Sequence, residues 1–145
     1  MTISIPVTPK PKQRVRVVNG HAYTPKKTVQ YEQIISKAVQ GIKVTGAVGI
    51  WVLFEMPMPK SWSKAKKIRM NGTPHLQTPD TDNLLKAVMD GMKSVWSDDR
   101  TVYAVSGTKV WAYDPQVIIT IEGSKSNESD NYKRRQDDQI DNRGV

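Results

Sequence analysis

Apolar residues recur at two different periods along the chain, and each period predicts a different kind of element. The clearest period of two lies in Ala47–Met56, where apolar side chains alternate between the two faces of a predicted strand. One face would carry Val48, Ile50, Val52 and Phe54, and the other Trp51 and Leu53. Two apolar faces indicate a central strand covered on both sides. Further strands are predicted at Ile3–Pro6, Thr101–Tyr113 and Gln116–Glu122.

Two segments show the period of amphipathic helices. The first helix would follow Thr24 as N-cap, with Pro25 at its first position. Its buried stripe would consist of Tyr31, Ile34, Ile35, Ala38 and Ile42. The second helix would begin at Asp82 or Asn83 as N-cap and continue to Trp96. Its buried stripe would consist of Leu85, Val88, Met89, Met92, Val95 and Trp96.

Two connecting segments have recognisable features. An Asn-Gly pair within Val17–Tyr23 predicts a β-hairpin. Pro57–His75 reads as a long basic loop with room for a short helix at Ser63–Met70. Trp62 in this loop fits two interpretations equally well, stacking on a nucleic-acid base or folding onto the core.

Together these elements predict an α+β fold, with a mixed sheet of four to five strands and two main helices. A chain of 145 residues is long enough for one domain with its own core. We place that domain at residues 1–123. The polar segment 124–145 has almost no apolar residues, and we expect it to be a disordered tail.

The composition narrows the possible function classes. The absence of cysteine excludes disulfides and thiolate metal sites, and it fits the reducing cytoplasm in which we expect the protein to act. Two histidines argue against a zinc site. No apolar run approaches the roughly 18 residues of a spanning helix, and the first residues lack the apolar core of a signal peptide. We therefore expect no membrane partner.

The net charge of +8 is distributed unevenly. Residues 1–77 contain 13 Lys or Arg and two Glu, whereas residues 78–123 contain four Lys or Arg and seven acids. Basic residues clustered in an extended segment and in a loop favour contact with nucleic-acid phosphates, although solvated surfaces are the plainer interpretation. The predicted nucleic-acid-binding residues are Lys10, Lys12, Arg14, Arg16, Lys26, Lys27, Lys60, Trp62, Lys64, Lys66, Lys67 and Arg69.

Acidic residues are concentrated around the second helix. Asp80 and Asp82 are two positions apart, so they point the same way in an extended segment, and Asp98 and Asp99 follow the helix. In the plain interpretation these aspartates cap and turn the chain, while Lys86 forms a surface ion pair. In the catalytic interpretation Asp80, Asp82 and one of the later aspartates bind Mg²⁺, which prefers oxygen ligands. Lys86 would then steady the carboxylates or a phosphate.

Three features of this region form one longer pattern: Pro79–Lys86 (PDTDNLLK), Asp90, and Trp96–Asp99 (WSDD). The pattern resembles the signature of the RusA family of Holliday-junction resolvases, and the N-terminal ISIPVTPKPKQRVRV and AYTPKK extend the resemblance over residues 2–122. It implies a homodimeric, Mg²⁺-dependent endodeoxyribonuclease that cuts four-way DNA junctions in recombination and repair. It implies that the catalytic residues are Asp80, Asp82, Lys86 and Asp99, with the three aspartates as metal ligands.

Other interpretations remain open. The protein could be a nuclease acting on flaps or forks, or a noncatalytic DNA-binding protein. The family often has a lysine on the strand that follows the acidic region, so the resemblance implies that Lys109 faces the site. His75 lies shortly before the acidic pattern, and we expect it to position other residues rather than to bind metal.

The spacing of the acids raises a geometric question. A straight helix from Asp82 to Trp96 would separate its ends by about 21 Å, at about 1.5 Å per residue. Mg²⁺–oxygen bonds are only about 2.0–2.1 Å long, so one ion cannot bridge that distance. Three solutions follow: Ser97–Asp99 folds back, the helix breaks near Gly91, or two subunits related by a two-fold axis share each site.

Overall fold

The computed structural model describes residues 1–123, and the expectation for the tail 124–145 lies outside them. The elements are β1 (Thr2–Ile5), β2 (Arg16–Val18), β3 (His21–Tyr23), α1 (Lys26–Ala38), β4 (Val48–Pro57), α2 (Lys64–Met70), α3 (Thr81–Gly91), β5 (Val102–Ala112) and β6 (Gln116–Gly123). A single turn of 3₁₀ helix, Asp99–Thr101, precedes β5. None of the helices in this part of the chain is long and apolar enough to cross a membrane.

The main sheet has four strands in the order β1-β6-β4-β5. Strand β4 is parallel to β5 and antiparallel to β6, and β1 is antiparallel to β6. Although β5 and β6 are consecutive in the chain, they lie on opposite sides of β4. The predicted α+β fold with a mixed sheet is confirmed, and α2 adds a third, shorter helix.

The core lies between one face of this sheet and the two longer helices. Val48, Ile50, Val52 and Phe54 are buried there, as the alternation in β4 predicted, together with Leu84 and Val88 of α3 and Tyr31 and Ile35 of α1. Trp51, on the opposite face, is 37% exposed. The expectation of full cover on both faces is therefore wrong, because α1 and α3 both contribute to the single core cluster.

The helix α3 begins and ends earlier than its apolar pattern suggests. Its N-cap is Asp80, not Asp82 or Asn83, and its last residue is Gly91. The amide of Met92 donates to the carbonyls of both Val88 and Met89, which tightens and closes the final turn. The residues that follow, Met92, Val95 and Trp96, are buried in a non-helical turn. The predicted stripe is only partly correct, because Leu85 and Met89 are half-buried. Leu84 and Ala87, which the prediction left out, are fully buried instead. The predicted helix end at Trp96 is also wrong.

Helix α1 is also displaced by one position from the prediction. Its N-cap is Pro25, not Thr24, and no side chain caps it. Thr28, Tyr31, Ile35 and Val39 form its buried stripe. Ile34 and Ala38, which were predicted to be buried, face solvent, because the buried face lies along the neighbouring row of side chains.

Gly107 of β5 allows the N-terminal turn of α3 to sit close against the sheet. A Cβ at this position would lie 2.9 Å from the Thr81 side chain and 2.8 Å from that of Leu85. Such distances are too short for a van der Waals contact, so a larger residue would force the Thr81 and Leu85 side chains, or the helix that carries them, to move. The sequence at Gly107 therefore determines how deep the start of α3 is seated.

Candidate functional site

The segment before α3 is held against the C-terminal half of β5. The amide of His75 donates to the carbonyl of Lys109 at 3.0 Å, and the amide of Trp111 donates to Thr73 at 3.0 Å. The ammonium of Lys109 donates to the carbonyl of Pro79 at 2.7 Å and to that of Gln77. Lys109 of β5 thus binds two backbone carbonyls in the segment just before Asp80, and these bonds orient that segment.

Asp80, Asp82 and Lys86 are all exposed at this end of the molecule. Asp80 is the N-cap of α3, but its carboxylate makes no capping hydrogen bond, and Asp82 lies in the first turn. Lys86 is one turn further along the same face. Within residues 1–123 these three side chains have no hydrogen bond or ion pair, which the plain interpretation had required. Their charged groups are therefore available to ligands.

The two aspartates after α3 have different surroundings. Asp98 is an N-cap that accepts from the amide of Arg100 at 2.9 Å, and it pairs with the guanidinium of Arg100 at 2.8 Å. These bonds from Arg100 hold the pKa of Asp98 below its usual value. Asp99 accepts a hydrogen bond from the indole nitrogen of Trp96 at 2.8 Å on its Oδ1. Asp98 is thus engaged locally, whereas Asp99 is oriented by a buried tryptophan and is itself exposed.

Asp99 comes before the start of β5, whereas Thr81, the residue after Asp80, lies against Gly107 in the middle of that strand. Val102 and Gly107 are five residues apart, which is about 16 Å of strand at about 3.3 Å per residue. The two acidic sites of one chain are therefore well separated along β5. Among residues 1–123, no three acidic or histidine side chains are grouped to hold a metal ion. The break near Gly91 does occur, but it leaves the two acidic sites apart.

Three aromatic rings pack together between α2 and the segment that leads to Asp80. Trp62 packs on Trp111 with 4.7 Å between ring centroids, and His75 packs on the same indole at 4.2 Å. The ammonium of Lys66 lies 4.3 Å from the Trp62 ring centroid, a cation–π arrangement. Trp62 is therefore folded onto the domain, in agreement with the second of its two interpretations.

His75 is buried, and its Nδ1 has no hydrogen-bond partner in the described part of the chain. Burial lowers the pKa of His75, and the nearby positive charge of Lys109 lowers it further. A neutral imidazole thus packs beside the segment that leads to Asp80. This placement suits a residue that supports the loop.

The predicted DNA-binding residues divide into two groups. Lys12 forms ion pairs with Glu32 at 2.6 Å and with Asp90 at 2.8 Å, so its charge is compensated within the protein. These carboxylates raise the pKa of Lys12, and the hydrogen bond that Lys12 donates to Asp90 contributes most. The exposed members are Lys10, Arg14, Arg16, Lys26, Lys27, Lys60, Lys64 and Arg69, with Lys67 half-buried.

Sequence reasoning missed two supporting residues. Trp96 was assigned to the helix stripe and included in the WSDD pattern without a role of its own, although its indole nitrogen orients Asp99. Trp111 was assigned only to a strand, although its ring contacts both Trp62 and His75. The spacing of Trp96 and Asp99, three residues apart around a turn, was the available signal for the first. No local signal identifies the second, because its partners are distant in sequence.

Comparison with known proteins places the sequence in a family. A family model described as Endodeoxyribonuclease RusA matches residues 4–122, which contain both acidic sites and the basic segments. The chain is also similar to Uncharacterized protein YqaN of Bacillus subtilis (strain 168), with 27% identity over 121 residues. That alignment covers 77% of this chain and 85% of the relative. The family match confirms the resemblance that the acidic pattern carries.

Proposed function

The chain belongs to the RusA family of endodeoxyribonucleases, and from this premise we propose that it cleaves four-way DNA junctions in a Mg²⁺-dependent reaction. The observation that carries the proposal is the state of Asp80 and Asp82. Both carboxylates are exposed and unpaired among the described residues, at the start of α3, directly after a loop that Lys109 holds in place. Two adjacent free carboxylates on a cationic protein are costly beside DNA phosphates unless a cation joins them.

The donor set fits a hard divalent cation. Carboxylate oxygens from Asp80, Asp82 and Asp99 would hold Mg²⁺, and when bound it would supply stabilisation of the charge that develops on the phosphate. Lys86 lies one helical turn from Asp82, where its ammonium can contact a phosphate oxygen. Lys109 and Trp96 touch no substrate in this scheme, and they orient Asp80 and Asp99.

We infer that each site is completed by a second copy of the chain. About 16 Å of strand β5, from Val102 to Gly107, lies between the acidic sites of one subunit. This separation supports the inference. In a homodimer with antiparallel α3 helices, Asp99 of one subunit would approach Asp80 and Asp82 of the other. A four-way junction needs two cuts, and such a dimer offers two sites.

Cleavage of synthetic DNA tests the proposed function. Wild-type protein with Mg²⁺ is expected to nick a labelled four-way junction faster than linear duplex, flap or fork substrates, and EDTA should stop the reaction. Asp80→Asn and Asp82→Asn should each abolish nicking while junction binding is retained or strengthened, because each change removes repulsion toward phosphate.

The comparison substrates decide between functions. If flaps or forks were cleaved as fast as four-way junctions, the proposed substrate would be branched DNA in general. Binding without any cleavage in Mg²⁺ would support a noncatalytic protein. Wild-type cleavage rates in both Asn variants would remove these residues from the site.

A further inference from the structure

The β2–β3 hairpin is exposed on both of its faces. All six of its strand residues are exposed, and Val17 and Val18 are 67% and 52% exposed. The turn is formed by Asn19 and Gly20 with φ values of 52° and 78°, the left-handed pair of a tight hairpin turn, as the sequence predicted. A two-stranded hairpin gains little stability by itself in water. A hairpin exposed in this way would gain stability from a partner surface.

The two faces of the hairpin have different chemistry. Arg16 pairs with Tyr23 and Val18 pairs with His21, so these four side chains share one face. Val17 pairs with Ala22 on the other face, which is entirely apolar. The first face therefore carries a cation, an aromatic ring and a ring nitrogen, groups that contact phosphates and base edges.

The base of the hairpin is fastened beside the acidic site. The amide of Lys12 donates to the carbonyl of Asn83 at 3.0 Å, next to Asp82. The Lys12 ammonium pairs with Glu32 of α1 and Asp90 of α3, so the segment is held on both helices. Arg16 follows Lys12 by four positions, a span of at most about 14 Å. The hairpin thus projects from a fixed point close to Asp82.

The positive charge around the hairpin favours DNA over a second copy of the chain as its partner. Residues 1–31 contain no acidic residue, and Glu32 is the first. Two such hairpins from two copies of the chain would repel each other, whereas DNA would attract them. The major groove of DNA is about 12 Å wide and accepts a two-stranded β-ribbon.

We propose that the β2–β3 hairpin enters the major groove of the DNA arm next to Asp80 and Asp82, with the Arg16–Tyr23 face toward the DNA. This inference rests on the proposed function and adds a recognition element to it. Arg14 and Arg16 contact the backbone and base edges, and the hairpin holds the arm whose strand is cut.

Two variants with the same kind of change test the hairpin. Arg16→Thr with Tyr23→Thr alters the proposed DNA face, and Val17→Thr with Ala22→Thr alters the opposite face. Both replace one cross-strand pair by two threonines, which suit strands. Affinity is measured by fluorescence anisotropy of a labelled four-way junction in EDTA, at several salt concentrations, alongside circular dichroism and the mass in solution.

The DNA-face variant should bind the junction at least tenfold more weakly. It should also lose about 0.9 from the slope of log K against log salt for its one phosphate contact. The opposite-face control should change affinity less than threefold. As a second measurement, p-benzoylphenylalanine placed at Tyr23 should cross-link to the DNA arm in otherwise unchanged protein.

Equal affinities for the two variants, or no cross-link to DNA, would overturn the inference. A changed mass in solution, with cross-linking between protein chains, would identify a second copy as the partner instead. If wild-type protein binds and cuts junctions but the hairpin has no effect, only this inference fails. If wild-type protein binds junctions without cutting them, the proposed function is wrong, but the binding experiments still test the hairpin. If wild-type protein does not bind DNA at all, both the proposed function and this inference are wrong.

Discussion

At the scale of single residues, Lys109 is the most informative side chain. Its ammonium holds the carbonyls of Gln77 and Pro79, and it makes no ion pair within the described residues. Lys109→Met should free the loop before Asp80 and lower the cleavage rate about 10²-fold, because small displacements of positioned groups have effects of that size. The rate constant at saturating DNA and its Mg²⁺ dependence are the measurements.

A matched control is available for this change. Lys43 also donates to a backbone carbonyl, that of Ser94, at the other end of α3. Lys43→Met should leave cleavage unchanged, and Lys109→Arg should restore part of the lost rate. If Lys109→Met altered DNA affinity alone, with an unchanged rate constant, Lys109 would be a DNA contact rather than a positioning residue.

His75 makes the stability of the fold depend on pH. Its folded pKa lies below the unfolded value of about 6.5 because of burial, so at mildly acidic pH the unfolded chain binds the proton first. The folded state should therefore lose stability as the pH falls below about 6.5. Thermal unfolding at pH 7.5 and 5.5 should show a smaller pH effect in His75→Gln than in wild type. Equal pH effects in the two proteins would contradict this assignment.

At the scale of elements, α2 presents a basic face that the ring contacts anchor near the site. Ser63 caps it by accepting from the amide of Lys66, and Lys66 is itself engaged with Trp62. Lys64, Lys67 and Arg69 remain for contact with phosphates. Changing these three to Gln should weaken junction binding and reduce the salt slope by about 0.9 for each lost contact on duplex arms.

The control for α2 lies at the far end of the domain. Lys37 and Lys43 line a surface pocket with Ser94, away from the acidic loop. Their replacement by Gln removes charge without touching the proposed surface, and it should leave the salt slope nearly unchanged. Equal losses in both sets would indicate a general charge effect instead of a defined DNA surface.

At the scale of the whole molecule, the separation of the acidic sites predicts a shared active site. Asp82→Asn and Asp99→Asn proteins should each be inactive alone. After subunit exchange, a heterodimer would contain one site with every carboxylate intact, and nicking should reappear. Nicking of one strand, without paired cuts, is the expected product on a labelled junction.

The experiment must be carried out on heterodimers whose composition has been verified. Two affinity tags, one on each variant, allow their isolation before DNA is added. Inactive heterodimers would mean that each site is built within one chain. A monomeric mass at working concentration, with full cleavage, would contradict the dimer itself.

The sequence by itself determined the features that depend on neighbouring residues. Alternation identified β4, an Asn-Gly pair identified the hairpin, and helical spacing identified the presence of α3, although of its predicted stripe only Val88 is fully buried within the helix. Local chemistry also sufficed for the pattern around Asp80 and Asp82, because these positions are close in the chain. Steric preference and side-chain period act over a few residues, so both can be recognised in the sequence without knowledge of the fold.

Only the tertiary structure decided how these pieces meet. Several contacts join residues that are distant in sequence. They are the hydrogen bonds from Lys109 to the loop before Asp80, the packing of Trp62 and His75 on Trp111, and the ion pairs of Lys12. The end of α3 at Gly91 and the exposed side of Trp51 likewise follow from packing. Apolar periodicity reports which side chains are buried, but burial in a helix and in a compact turn satisfies the hydrophobic effect equally.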